Sequence, residues 1–120
     1  MVFSNGKKKL EKTIQKESSN LSYAHGRDYI EVWKPRVGQL CFSYSSHTHT
    51  NQNTQRAWVR GKILYGKEKT MEIDTFSADK NDELVNLVTE IAKQSKVEKI
   101  NITSNHIQPI YKKMLEEYTA

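Results

Sequence analysis

Between Ala57 and Lys96 the apolar residues change their period, and that change restricts the chain to few architectures. Ala57, Val59, Ile63 and Tyr65 alternate along AWVRGKILY, and Met71 and Ile73 alternate along TMEIDTF after a turn at Gly66-Lys67-Glu68-Lys69. A period of two belongs to strands with one buried face, so the pair reads as a hairpin. In SADKNDELVNLVTEIAKQSK, Leu84, Leu87, Val88 and Ile91 recur at i, i+3, i+4 and i+7, widened by Val85 and Ala92. That is the stripe of an amphipathic helix. Asp79 or Asn81 stands where a cap is expected, and acidic residues crowd the first turn, where the helix dipole favours them. A one-sided hairpin followed by a one-sided helix buries both apolar faces by stacking a helix layer on a sheet.

The flanking segments extend this plan. Leu10, Ile14 and Leu21 give a thin stripe on a lysine-rich helix, preceded by a loose end over residues 1–6, so that 7–120 form one domain. Strands are expected over Tyr29–Trp33, ended by Lys34-Pro35, and in VGQLCFSYSS, where Leu40, Phe42 and Tyr44 share a face. HTHTNQNTQR has no core residue and is too long for a tight hairpin, so it reads as a mobile loop. VEKINIT gives a fifth strand. The last helix has Pro109 in its first turn and Ile107, Ile110, Tyr111, Met114, Leu115 and Tyr118 on one face. The expected fold is α+β, a mostly antiparallel sheet of about five strands with helices packed on it, in the order α-β-β-β-β-α-β-α.

At 120 residues, with 36% hydrophobic residues and a mean hydropathy of -0.79, the chain supports one modest core. No run reaches the 18 or so apolar residues that a membrane span needs. MVFSNGKKKL has basic residues but no apolar stretch after them, unlike a secretory signal. The single cysteine, Cys41 in the apolar run LCF, reads as packing, and one cysteine fits a reducing cytoplasm.

The formal charge of +5 is unevenly placed. Residues 1–67 hold twelve Lys and Arg against four Asp and Glu; residues 68–120 hold seven against ten. The basic first half points to a phosphate-bearing or acidic partner. Within it, Arg56, Trp58, Arg60 and Lys62 alternate onto one strand face, and Arg27, Lys34 and Arg36, with Trp33, can extend the patch. A tryptophan flanked by cations suits a base stacked on the ring with its phosphates held alongside. The same residues suit an acidic protein through salt bridges around an aromatic anchor. The plainer alternative is a half-exposed sheet whose Trp covers the N-terminal helix. A dimer that buries Trp33 or Trp58 between subunits is a further arrangement open to such a chain. The reading is therefore a small, basic, non-catalytic binding module for nucleic acid or an acidic protein, with no cofactor.

Other chemistry finds less support. His47 and His49 would share a face if their segment were a strand, the spacing of some metal sites, but no local carboxylate or cysteine completes a ligand set. The same pair lacks fixed partners for acid–base cleavage of RNA. No Walker loop, Rossmann glycine pattern, zinc-knuckle spacing or nucleophile elbow occurs.

From Ile63 to Tyr118 the element order resembles the second half of the GNAT acyltransferase superfamily. That family's final helix carries N-x-x-A-x-x-L-Y; here Ser104, Ile107, Ile110 and Tyr111 take those places. The resemblance implies acetyl-CoA as cofactor, Tyr111 protonating or binding the departing thiolate, and Glu72 or Asp74 as general base. The family's pyrophosphate loop is glycine-bearing, of the kind Arg-x-x-Gly-x-Gly/Ala. This chain instead has Ser77-Ala78-Asp79-Lys80-Asn81-Asp82-Glu83, with no glycine and three carboxylates. Those charges repel a pyrophosphate and compete for the same N–H groups, so the cofactor loop is degenerate.

Overall fold

The computed structural model describes residues 2–21, 27–49 and 54–119, and only the backbone of residues 2–5, 27, 48, 49 and 54. The elements are α1 (Val2–Ser18), β1 (Arg27–Trp33), β2 (Gln39–His49), β3 (Thr54–Tyr65), β4 (Lys69–Ala78), α2 (Asn81–Gln94), β5 (Lys99–Ile102) and α3 (Pro109–Glu116). The order is the α-β-β-β-β-α-β-α expected. The five strands lie side by side in sequence order; β1 to β4 form an antiparallel meander, and β5 joins β4 in parallel. The parallel step requires a crossover, and α2 supplies it.

The helices gather on one face of the sheet. Leu10 and Ile14 of α1, the whole α2 stripe from Leu84 to Ala92, and Leu115 of α3 are buried with Leu40, Phe42, Tyr44, Val59, Ile63, Met71 and Ile73 of the strands. Alternation along β2 and β3 then leaves the opposite residues of each strand uncovered. The product is a two-layer domain with an open sheet face.

Four details depart from the expectations. α1 begins at Val2, inside the stretch 1–6 read as a loose end. The expected loop over residues 47–56 is largely strand: β2 runs to His49 and β3 starts at Thr54, paired as His47↔Arg56, Thr48↔Gln55 and His49↔Thr54. A ladder supplies its own backbone bonds, so these polar residues extend the hairpin without any core beneath them. Neither Asp79 nor Asn81 caps α2. Lys80 holds the cap position without a side-chain cap bond, and the Asp79 carboxylate accepts the Arg56 N–H at 2.7 Å while the Asp79 N–H donates to the Arg56 carbonyl at 3.1 Å. Asp79 thus prolongs the β3–β4 pairing.

The last helix is also narrower than its stripe. It has eight residues; Ile107 and Leu115 are buried, Tyr111 and Tyr118 half-buried, and Ile110 and Met114 exposed. Two turns present only one line of residues to the core, here 111, 115 and 118, and the neighbouring line stays in solvent. The Tyr118 hydroxyl donates to the Val97 carbonyl at 3.1 Å, and Thr119 bridges to Lys99, covering the outer edge of β5. Among the described residues no helix is long and apolar enough to cross a membrane.

Candidate functional site

The uncovered sheet face has an ordered relief set by register. β2 shows it Cys41, Ser43, Ser45 and His47, all small except the last. On one side β1 presents Tyr29, Glu31 and Trp33; on the other β3 presents Arg56, Trp58, Arg60 and Lys62. Small residues between two rows of large ones make a shallow trough along β2. Its walls stand two strand spacings apart, about 10 Å. Across it, Tyr29, Ser45 and Trp58 form one row, and Trp33, Cys41 and Lys62 another. Tyr29 is 58% exposed, Trp58 48% and Trp33 37%, and no described helix covers them.

Charge on the β3 wall is largely spent within the sheet. Thr75 pairs with Arg60 and Ile73 with Gly61, so Asp74 is the extra residue of a bulge in β4. Its carboxylate lies on the open face with Glu72, accepts from Arg60 Nε at 2.8 Å and also accepts the Thr75 hydroxyl at 2.9 Å, while the extra residue turns Phe76 back into the core. One row along, Lys62 Nζ meets Glu72 at 3.7 Å. Both pairs are substantially solvated and hold each other weakly. The Arg56 guanidinium has no carboxylate partner among the described residues. The cations stand on the face expected, and two of the three described ones, Arg60 and Lys62, are compensated from β4.

Lys34 and Arg36 occupy the β1–β2 turn beyond Trp33, at the far end from Arg56, and stand off the trough. The Arg27 side chain lies outside the described residues; its backbone pairs with His47. Tyr29 and the serine floor escaped the sequence reading, although the alternation of Tyr29, Glu31 and Trp33 against Ile30 and Val32 carried the signal. Burial pushes the Cys41 thiol above its ordinary range; Lys62 and Arg60 pull it down and Asp74 raises it. A half-buried thiol of that kind is a poor nucleophile.

The residues implied by the acyltransferase resemblance do not meet. Tyr111 lies on the helix side, its ring 6.5 Å from that of buried Phe76 at an interplanar angle of 28°. Glu72 alternates with buried Met71 and Ile73 and pairs with Lys62 on the open side. The two stand on opposite faces of one sheet, and Asp74 is on the same side as Glu72. Among the described residues no three His, Cys, Asp or Glu side chains come together as a metal site; the His49 side chain is not among them. No family model, curated protein or solved structure matches this chain.

Proposed function

We propose that the protein binds single-stranded nucleic acid along the β2 trough, bases stacking on Tyr29, Trp58 and Trp33 and phosphates met by Arg56, with Arg60 and Lys62 alongside. The row Tyr29–Ser45–Trp58 carries the reading, since two exposed rings flank a residue too small to fill the space between them. Every base has a π-face, so such a surface takes single strands with little regard to sequence, whereas the bases of a duplex are stacked on each other. Each stacked base contributes about 1–3 kcal/mol. Two or three of them support dissociation constants from millimolar to micromolar. An acidic protein would draw on the same cations, two of which β4 already compensates, without the stacking contribution. The acyltransferase reading ranks behind, because Tyr111 and Glu72 face opposite ways.

The test is fluorescence anisotropy of a labelled single strand and of the matching duplex, across a salt series. The single strand binds more tightly, and Trp58→Ala or Tyr29→Ala each weakens it by roughly 5- to 150-fold. With few phosphates newly neutralised, the log–log salt slope is shallow, about -1 to -2. Equal affinity for the duplex, or variants that bind like the parent, would sink the proposal.

A further inference from the structure

On the helix side, at the end of the sheet where β3 turns into β4, three lysines converge without a carboxylate among them. Lys9 of α1, Lys69 at the start of β4 and Lys96 just past α2 line a cleft of about 120 Å³ with Leu40, Ile63 and Tyr65. None of the three forms an ion pair among the described residues, although Lys99 and Glu68 nearby do, at 3.8 Å. Lys69 Nζ sits over the Tyr65 ring, 4.9 Å from its centre. Burial lowers the pKa of Lys69, and the charges of Lys9 and Lys96 lower it further. A partly buried Lys69 thus feels two like charges at the mouth of the cleft, where Lys9 and Lys96 remain exposed.

Lys96 adds a second, independent cost. It has φ 60, the left-handed conformation that follows a helix, and the Val97 N–H returns to the Ala92 carbonyl at 3.0 Å. Glycine or asparagine is the usual residue at such a position. A lysine there accepts backbone strain and brings a third cation to the cleft. Strain and like-charge crowding that coincide at one place mark a site whose ligand relieves them.

The cleft continues into a larger cavity of about 470 Å³, lined by Val37, Gly38, Gln39 and Lys34 and sharing Gly6, Leu40 and Tyr65 with it. That volume is typical of a small-molecule site. Apart from Gln39 and Lys34, its walls offer an aromatic ring, aliphatic side chains and glycine. A cationic compartment of three lysines beside an apolar one of this size matches a ligand with an anionic end and a compact, mostly apolar ring system. We infer that this double cavity is a binding site for a nucleoside diphosphate or triphosphate, with the phosphates among Lys9, Lys69 and Lys96 and the base between Tyr65, Leu40 and Val37. The site is separate from the trough, since it lies on the opposite face of the sheet and shares no residue with it.

Calorimetric titration with ADP, with inorganic pyrophosphate and with adenosine tests this on the full chain. ADP binds at one site, at least tenfold more tightly than pyrophosphate or adenosine alone. Lys69→Gln and Lys9→Gln each reduce ADP affinity about tenfold, and Lys96→Asn does so while raising thermal stability, because asparagine suits φ 60 better. Trp58→Ala leaves ADP binding unchanged, so failure here and failure of the trough are told apart. Pyrophosphate binding as tightly as ADP, ADP affinity lost in Trp58→Ala, or no ADP heat at all would overturn the inference.

Discussion

Replacing Gly61 by alanine tests the packing that shapes the trough wall. A Cβ at Gly61 would lie 2.6 Å from the Glu72 carbonyl oxygen, 2.8 Å from Ile73 Cδ1 and 3.0 Å from Phe42 Cζ. Ordinary carbon contacts sit near 3.5–4.0 Å. The Ile73 methyl can rotate away, and Phe42, fully buried, can give a little. The Glu72 carbonyl is backbone on the adjacent strand, one residue from the paired Ile73 and two from the bulge residue Asp74. It moves only if β3 and β4 part. Overpacking of this kind costs about 1–3 kcal/mol. Alanine recovers about 0.4–1 kcal/mol through the unfolded chain, which glycine leaves more disordered. The expected net loss is roughly 1–2 kcal/mol, or about 3–10 °C in Tm for a domain of this size. Urea unfolding followed by circular dichroism measures it as a lower midpoint with an unchanged slope. Gly66→Ala is the control: its nearest neighbour is the Glu68 carbonyl at 3.6 Å, and it stays within about 0.5 kcal/mol of the parent. A Gly61→Ala protein as stable as the control would refute the reasoning, since the strands would then have room that the geometry denies.

Two further outcomes follow from single side chains. Burial of Tyr44 pushes its hydroxyl from 10 up to about 12, with Ser46, Ser18 and Asp28 acting on it from nearby, and neither the Tyr44 hydroxyl nor the enclosed Ser46 hydroxyl makes a well-formed hydrogen bond among the described residues. The unfolded chain ionises first, so the stability held below pH 10 is lost between pH 10 and pH 12, by about 3 kcal/mol from this group. Tyr44→Phe removes that part of the alkaline loss and changes stability at neutral pH little, which parallel urea titrations at the two pH values measure. Cys41, on the trough floor, reacts slowly with iodoacetamide because burial disfavours its thiolate. A bound single strand slows it several-fold more, as timed mass spectrometry of the alkylated chain reads directly.

Much of this was legible because one physical signal dominated each long element. The α2 stripe from Leu84 to Ala92 and the alternation from Ala57 to Ile63 locate the layer, and both came through burial intact. The extension of β2 and β3 past residue 47 was not legible, because a cross-strand ladder needs no apolar residue to announce it. The bulge at Asp74 was not legible: strict alternation along TMEIDTF sends Phe76 to the open face with Glu72 and Asp74, whereas the extra residue turns Phe76 back into the core. Arg56, Trp58, Arg60 and Lys62 were placed on their common face by counting in twos. What the count could not supply was the neighbour on the next strand, and neighbours decide here how much charge remains. In α3, Ile110 and Met114 show the same limit in helical form, since a stripe fixes which residues adjoin and not how wide a surface meets them.

Both tryptophans of the chain, Trp33 and Trp58, lie on the open sheet face, so intrinsic fluorescence reports on the trough and little else. The most direct measurement is therefore quenching of Trp58 emission in the Trp33→Phe protein as a short deoxythymidine strand is added. Stacking predicts saturable quenching of at least half the emission, with the midpoint rising about 4- to 16-fold for a fourfold rise in salt, as a log–log slope of about -1 to -2 requires. Emission that stays constant while anisotropy reports binding would place the strand elsewhere and contradict the account.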